Sequence, residues 1–484
     1  MSLAALLDGP GDQVLVHDGD RSFTRAEIQA MAADLADRLR HAGVAAGQAV
    51  AVRLPSTAEA VAALFGVWQA GAVHVPVNPR LTDHEVDRIL SRVQPAVVVE
   101  SGFSTRQPPD SDAARVENGA GEGVALVQFT SGTTGEPKPV PLRHDTVAKL
   151  LDGVIERLLG HSEPPGGWAG RAAREPAQPN LVPVSLSLWA GIYQVLFAFR
   201  LGAPVVLMDR FDTQRFAELV REHGIRSTVL PPAAMTMLSD DPGVTELTPL
   251  RYVRSITAPL SPAEAHRFAD RFGATVLNGY GQTELGGEVI GWSAADAREH
   301  GQDKLGAVGR PHPGVEVKVS DTGELCVRAA AVVPTDMIAD RLDDDGFLRT
   351  GDVGRIDDDG FVWIEGRVSD AINRGGFKLW PGEVEEVLRS HPSVTDAAVV
   401  GASDTRLGEV PWAYVVPAAG AVDPEALEAV CRERLAPYKV PERYIEIDEL
   451  PRNEVGKVLY RELAADAYRR GTELPTVRPE EVGR

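Results

Sequence analysis

Cysteine is nearly missing from this chain: Cys326 and Cys431 are the two thiols in 484 residues. Neither belongs to a Cys-x-x-Cys pair or has His-rich neighbours, which argues against a disulfide framework or a zinc site and fits a reducing cytoplasm. Positive charge is also in deficit. Lys plus Arg is 49 against 70 Asp plus Glu, a formal charge of -21, so unspecific attraction to nucleic acid or anionic lipid is not expected. Long apolar runs are missing too: nothing approaches the roughly eighteen residues of a membrane span. Met1 to Asp18 lacks the basic start and apolar stretch of a leader.

Hydrophobic residues make up 43% and charged residues 25%, the balance of an ordinary globular protein. The length exceeds what one core usually serves, so a large body with at least one smaller unit is expected. Thr24 and Glu27 have capping-box spacing, and Ile28, Met31, Leu35 and Leu39 follow on one helical face until Gly43. Short apolar runs at 49–54, 96–99, 124–129, 181–184, 205–208, 227–230, 252–256 and 275–278 alternate with helix-length segments. That order predicts an α/β fold with parallel, helix-covered sheets. Segments 103–121 and 160–180 read as long loops. From Gly314 the strands shorten into a small β subdomain, and a helix is predicted at 381–388. A body at 1–366, a hinge at 367–370 and a small α+β cap at 371–484, with a frayed tail, is the expected division.

One run carries chemistry by itself. Thr130, Ser131, Gly132, Thr133, Thr134, Gly135, Glu136, Pro137 and Lys138 follow a strand. Glycines let backbone N–H groups turn inward, hydroxyls add neutral donors and the lysine adds charge for a polyphosphate. Pro137 excludes a Walker loop.

This run resembles the signature of the adenylate-forming superfamily, which includes acyl-CoA synthetases, luciferases and peptide-synthetase adenylation domains, and the resemblance extends over nearly the whole chain. Asn278, Gly279, Tyr280, Gly281, Gln282, Thr283 and Glu284 resemble its second core motif. The resemblance implies that the Tyr280 ring lies against adenine, Thr283 touches the α-phosphate and Glu284 holds Mg²⁺. Glu284 stands where a dinucleotide fingerprint needs its third glycine, which excludes that alternative. Asp352, after Arg349-Thr350-Gly351, resembles the residue that accepts both ribose hydroxyls. Arg367 resembles the nucleotide contact at the hinge, with Ser369 as the swivelling residue. Gly375, Gly376 and Lys378 resemble the loop lining the pantetheine channel, and Lys457 resembles the adenylation lysine.

The resemblance implies an acid:CoA ligase that uses ATP, Mg²⁺ and coenzyme A, forms acyl-AMP and releases AMP. Leu188, Trp189, Ile192, Ile256 and Thr257 predict an apolar pocket for a hydrophobic acid. Some positions depart from the pattern. Leu188 takes the place aligned with a frequent His, Ile256-Thr257 replaces a frequent Gly-Gly, and Pro139 and Ala329 replace common glycines. They motivate a half-enzyme working on acyl-adenylate supplied by a partner enzyme. Loading of a carrier protein, or a binder without turnover, are the remaining readings.

Overall fold

The computed structural model describes residues 2–106, 123–131, 137–159, 178–256, 260, 262–301, 303–329, 338–418, 420–452 and 457–473. The loop at 103–121 beyond residue 106, most of 160–180, and the tail from 474 lie outside the described residues. Contacts group the chain into two compact units, one of residues 1–260, 264–317 and 327–348, the other of 261–263, 318–326 and 349–484. The division expected at 367–370 falls within the second of these units.

In the first unit the capping box forms as its spacing requires: Thr24 accepts from the Glu27 N–H and the Glu27 carboxylate accepts from the Thr24 N–H. The helix Arg25–His41 then buries Ile28, Leu35 and Leu39. Its chain turns at Gly43, whose φ of 81° suits a residue without Cβ.

The strands of this unit are β1 (Val14–Asp18), β2 (Arg21–Thr24), β3 (Ala49–Val52), β4 (Val73–Pro76), β5 (Val97–Glu100), β6 (Ser104–Arg106), β7 (Val124–Ser131) and β8 (Pro137–Arg143). They continue with β9 (Asn180–Val182), β10 (Val205–Leu207), β11 (Ser227–Leu230), β12 (Tyr252–Ser255), β13 (Thr275–Asn278), β14 (Tyr280–Gln282), β15 (Gly287–Gly291) and β16 (Ala307–Pro311). One sheet has the order β13-β12-β11-β9-β10-β1-β2 and another β6-β5-β3-β4-β7-β8.

Their interiors are parallel, but β2, β6 and β8 run antiparallel at edges. Each of these is reached by a short connection, whereas a parallel neighbour needs a crossover of about a dozen residues. The sheets are therefore mixed. Helices cover them over cores such as Leu181, Phe216, Leu230 and Phe268, each side chain worth about 1.5–3 kcal/mol on burial. The two sheets are tied through Ser56, whose N–H donates to Asp209 at 2.9 Å and whose hydroxyl accepts from the Leu186 N–H at 3.0 Å.

The chain continues through β17 (Glu316–Val319), β18 (Glu324–Arg328), β19 (Leu348–Ile356) and β20 (Val362–Arg367). Then follow β21 (Ile372–Arg374), β22 (Phe377–Leu379), β23 (Val394–Asp404), β24 (Gly408–Pro417) and β25 (Arg443–Glu446). The order β22-β21-β24-β23, with β25 on β24, makes the α+β sheet of the second unit. Leu379, Val384, Val399 and Leu427 pack on one face with the helices Pro381–Arg389 and Pro424–Arg434. Trp412, Tyr414 and Leu463 pack on the other with the helix Tyr460–Glu473. No described helix is long and apolar enough to cross a membrane.

Candidate functional site

Parallel β12 and β13 end together, Ser255 opposite Asn278, and such carboxyl ends are where open α/β sheets place ligands. Gly279 extends the register by donating its N–H to the Ser255 carbonyl at 2.9 Å. The chain then reverses into β14, antiparallel to β15. A Cβ at Gly281 would sit 1.8 Å from the Gly287 carbonyl oxygen, so this position takes only glycine. Thr283 opens the 3-10 turn Thr283–Leu285, anchored by buried Leu285. Tyr280, Thr283 and Glu284 are left half-buried.

These side chains are joined. The Gln282 amide donates to the Tyr280 hydroxyl at 3.2 Å. Arg341 donates to the Glu284 carboxylate at 2.9 Å and to the Gln282 amide oxygen at 3.1 Å. One guanidinium thus holds two members of the motif. Glu284 offers a single carboxylate, 24% exposed, a hard oxygen donor of the kind that takes Mg²⁺ travelling with ATP phosphates.

The two ends of the threonine- and glycine-rich run pair antiparallel. Thr130 pairs with Lys138 and Ser131 with Pro137 along β7 and β8, while Gly132, Thr133, Thr134 and Gly135 lie outside the described residues.

The residues expected around the acid divide. Trp189 opens the helix Trp189–Arg200, and its indole N–H donates to the Gly286 carbonyl at 2.9 Å, next to the motif. Leu188 is that helix's N-cap residue and Ile256 follows β12, half-buried. Thr257 lies outside the described residues. Ile192 instead lines a cavity of about 20 Å³ with Leu54, His74, Leu186 and Ser187. That volume suits one water rather than an acid. His74 is fully buried there, and burial pushes its imidazole down to about 3.

Sequence reasoning missed a buried polar group beneath the motif. Glu288 on β15 pairs with Arg254 on β12 and with His312, which lies 3.2 Å away. Burial pulls the Glu288 carboxyl upward, but Arg254 and His312 outweigh it and hold it below the usual value. Burial, with Glu288 adding to it, raises the nearby Tyr193 phenol. A Cβ on Gly279 would lie 2.9 Å from the Glu288 carboxylate, so the motif rests directly on this pair. Arg341 was also missed; neither partner set has a local sequence spacing that could have revealed it.

In the second unit, β19 and β20 place Asp352 opposite Arg367, and their side chains form a 2.9 Å ion pair with Asp352 buried. Two expected nucleotide contacts are therefore brought together. Ser369 lies in the 3-10 turn Val368–Asp370 and donates to Asp370 at 2.7 Å. Gly375 and Gly376 form the turn between β21 and β22 with φ of 60° and 93°. A Cβ on Gly376 would meet nothing within 4 Å, so handedness rather than crowding calls for that glycine. Lys378 is exposed on β22. Lys457 is half-buried just inside the Arg452–Val458 bridge, beyond 453–456, which lie outside the described residues.

Two family models match the chain. The AMP-binding enzyme family matches residues 5–118 and 100–335, and the AMP-binding enzyme C-terminal domain matches 383–457. A fatty acid–[acyl-carrier-protein] ligase, ScoC, from Streptomyces coeruleorubidus is 32% identical over 92% of this chain and 91% of its own. A 3-[(3aS,4S,7aS)-7a-methyl-1,5-dioxo-octahydro-1H-inden-4-yl]propanoyl:CoA ligase from Rhodococcus jostii is 32% identical over 93% and 95%. The solved structure of the amide bond synthetase McbA from Marinactinospora thermotolerans superposes with a TM-score of 0.81 at 28% identity, covering 96% of this chain and 98% of that one. With its motif at the sheet's carboxyl edge and matches along nearly its full length, the chain belongs to the AMP-binding enzyme family, the adenylate-forming superfamily of acyl- and aryl-CoA ligases and other adenylating enzymes.

Proposed function

We propose that this enzyme joins a hydrophobic carboxylic acid to AMP, releasing pyrophosphate, and then passes the acyl group to the thiol of coenzyme A, releasing AMP. The observation that carries the reading is the hydrogen-bonded set Tyr280, Gln282 and Glu284 at the carboxyl edge of a parallel sheet.

A carboxylate and ATP repel one another, so catalysis here is positioning plus charge compensation. Tyr280 would stack on adenine and Asp352 would accept the ribose hydroxyls, with Arg367 beside it. Thr130, Ser131 and Lys138 would meet the phosphates together with Gly132, Thr133, Thr134 and Gly135, and Thr283 the α-phosphate. Glu284 would hold Mg²⁺, which when bound neutralises phosphate charge. Lys457 would stabilise the adenylation step. Trp189, with Leu188 and Ile256, would wall the acid.

Acyl-AMP must be shielded from water until the thiol arrives. Rotation of 371–484 about Ser369, within the hinge 367–370, would present Lys457 for the first half-reaction and Gly375, Gly376 and Lys378 for the second. The Rhodococcus jostii relative, named for a bicyclic propanoyl acid, supports a polycyclic acid and coenzyme A. The Streptomyces relative, named for an acyl carrier protein, favours carrier loading as the second reading.

Incubation with ATP, Mg²⁺ and hydrophobic acids, with and without CoA, separates these. Acid-dependent pyrophosphate with acyl-CoA is the expected result. Pyrophosphate without acyl-CoA favours a carrier protein, and acyl-CoA only from added acyl-AMP establishes the half-enzyme. Neither product removes the proposal.

A further inference from the structure

Arg341 closes the 3-10 turn Ala339–Arg341, and nothing in the motif comparison gives it a task. Its fork reaches Glu284 and Gln282, and Gln282 in turn donates to Tyr280. The Arg341 and Glu284 side chains are 31% and 24% exposed. An ion pair this open adds little stability, yet it occupies Oε1, one of the two oxygens the carboxylate can offer a divalent cation. Two cations cannot share that oxygen without strong repulsion.

We propose that Arg341 is a positioning residue that holds Glu284 and Gln282 in the nucleotide-free enzyme and yields Glu284 to the divalent cation arriving with ATP. The carboxylate is thereby kept aimed before the nucleotide binds, and free divalent cations in solution are disfavoured relative to the ATP-bound ion. Through Nη2 the guanidinium keeps its hold on Gln282 while Nη1 lets go, so the ring of Tyr280 stays positioned as the cation is exchanged. Because the pairing matters only where Glu284 holds the nucleotide's cation, the role of Arg341 rests on the function proposed above.

Mn²⁺ binding to the nucleotide-free enzyme, followed by electron paramagnetic resonance, tests this. Arg341→Met is expected to tighten Mn²⁺ binding about two- to fivefold, the range that a part-exposed pair withholds. The gain should vanish when Glu284→Gln is added. A purely structural role for Arg341 would not tighten metal binding. Unchanged or weaker binding in Arg341→Met, or a gain that survives Glu284→Gln, overturns the proposal. Should Arg341→Met fail to fold, Arg341→Gln removes the same charge while keeping a polar partner for Gln282 and carries the same prediction. ATP–pyrophosphate exchange measured in parallel reports on the reaction separately. Exchange without the Mn²⁺ effect overturns only the role of Arg341, and the Mn²⁺ effect without exchange for any acid overturns only the reaction.

Discussion

Glu284 and Glu288 stand four residues apart, and each is paired with an arginine from a distant part of the chain. The Glu284–Arg341 side chains are 24% and 31% exposed, the Glu288–Arg254 side chains 5% and 11%. Exposure decides what each pair is for. In the open pair, solvent screens the attraction and either partner can be exchanged for another ion at little cost. In the closed pair neither charge can return to water, so losing one strands the other. The first suits a carboxylate that must receive a ligand, the second a foundation on which the motif rests.

The largest expected effect comes from breaking the closed pair. Arg254→Met leaves Glu288 buried without its cation and should lower the unfolding free energy by about 3–5 kcal/mol, read from denaturant titration. Full stability with lost turnover would instead assign Arg254 to chemistry and break the comparison. Next, Lys457→Ala in the second unit should slow ATP-dependent adenylation by about 10²–10³-fold, while thiolysis of supplied acyl-AMP is retained. Single-turnover assays of the two half-reactions measure both. Equal loss in both would remove the lysine from the adenylation step.

A smaller effect is set by pH. Glu288 is held below its ordinary value of 4.5, so its contribution is fully present above 4.5 and is lost as pH falls through the lower folded value. Glu385 in the second unit is also buried, but burial outweighs Arg389, the Val399 N–H and Tyr460 and raises its carboxyl. The folded state therefore takes up the Glu385 proton first, and that site gains stability as pH falls toward 4.5. Stability measured from pH 7 to 4 should show the advantage of Glu385→Gln over the parent shrinking with acidification. Over the same range Glu288→Gln should show no such trend. Parallel trends in both variants would contradict the assigned signs. The smallest effect is expected for the stability of Glu284→Gln, within about 1 kcal/mol of the parent.

Much of the fold was legible because its signals are local. The runs predicted at 227–230 and 275–278 are strands with those bounds, and the predicted 381–388 helix extends one residue to Arg389. Thr24 and Glu27 cap as their spacing demands. The antiparallel edges were missed because β2 (RSFT) and β6 (STR) are short and polar and β8 (PKPVPLR) is broken by prolines, so none carries the apolar run by which the parallel strands were recognised. At the site, Asn278 to Glu284 were singled out by their resemblance to a family motif. The partners Arg341 and Arg254 could not be, since they arrive from 57 and 34 residues away through packing that one sequence does not encode locally. Of the residues expected around the acid, Trp189 bonds to Gly286 beside the motif and Ile192 lines a water-sized cavity.

The open carboxylate is the centre of the account, and acid-dependent ATP–pyrophosphate exchange measures it directly. The parent enzyme should exchange in the presence of a hydrophobic acid and Mg²⁺, and Glu284→Gln should exchange about a hundredfold or more slowly at nearly unchanged stability. Equal rates in the two proteins, with both folded and saturated with ATP, would contradict it.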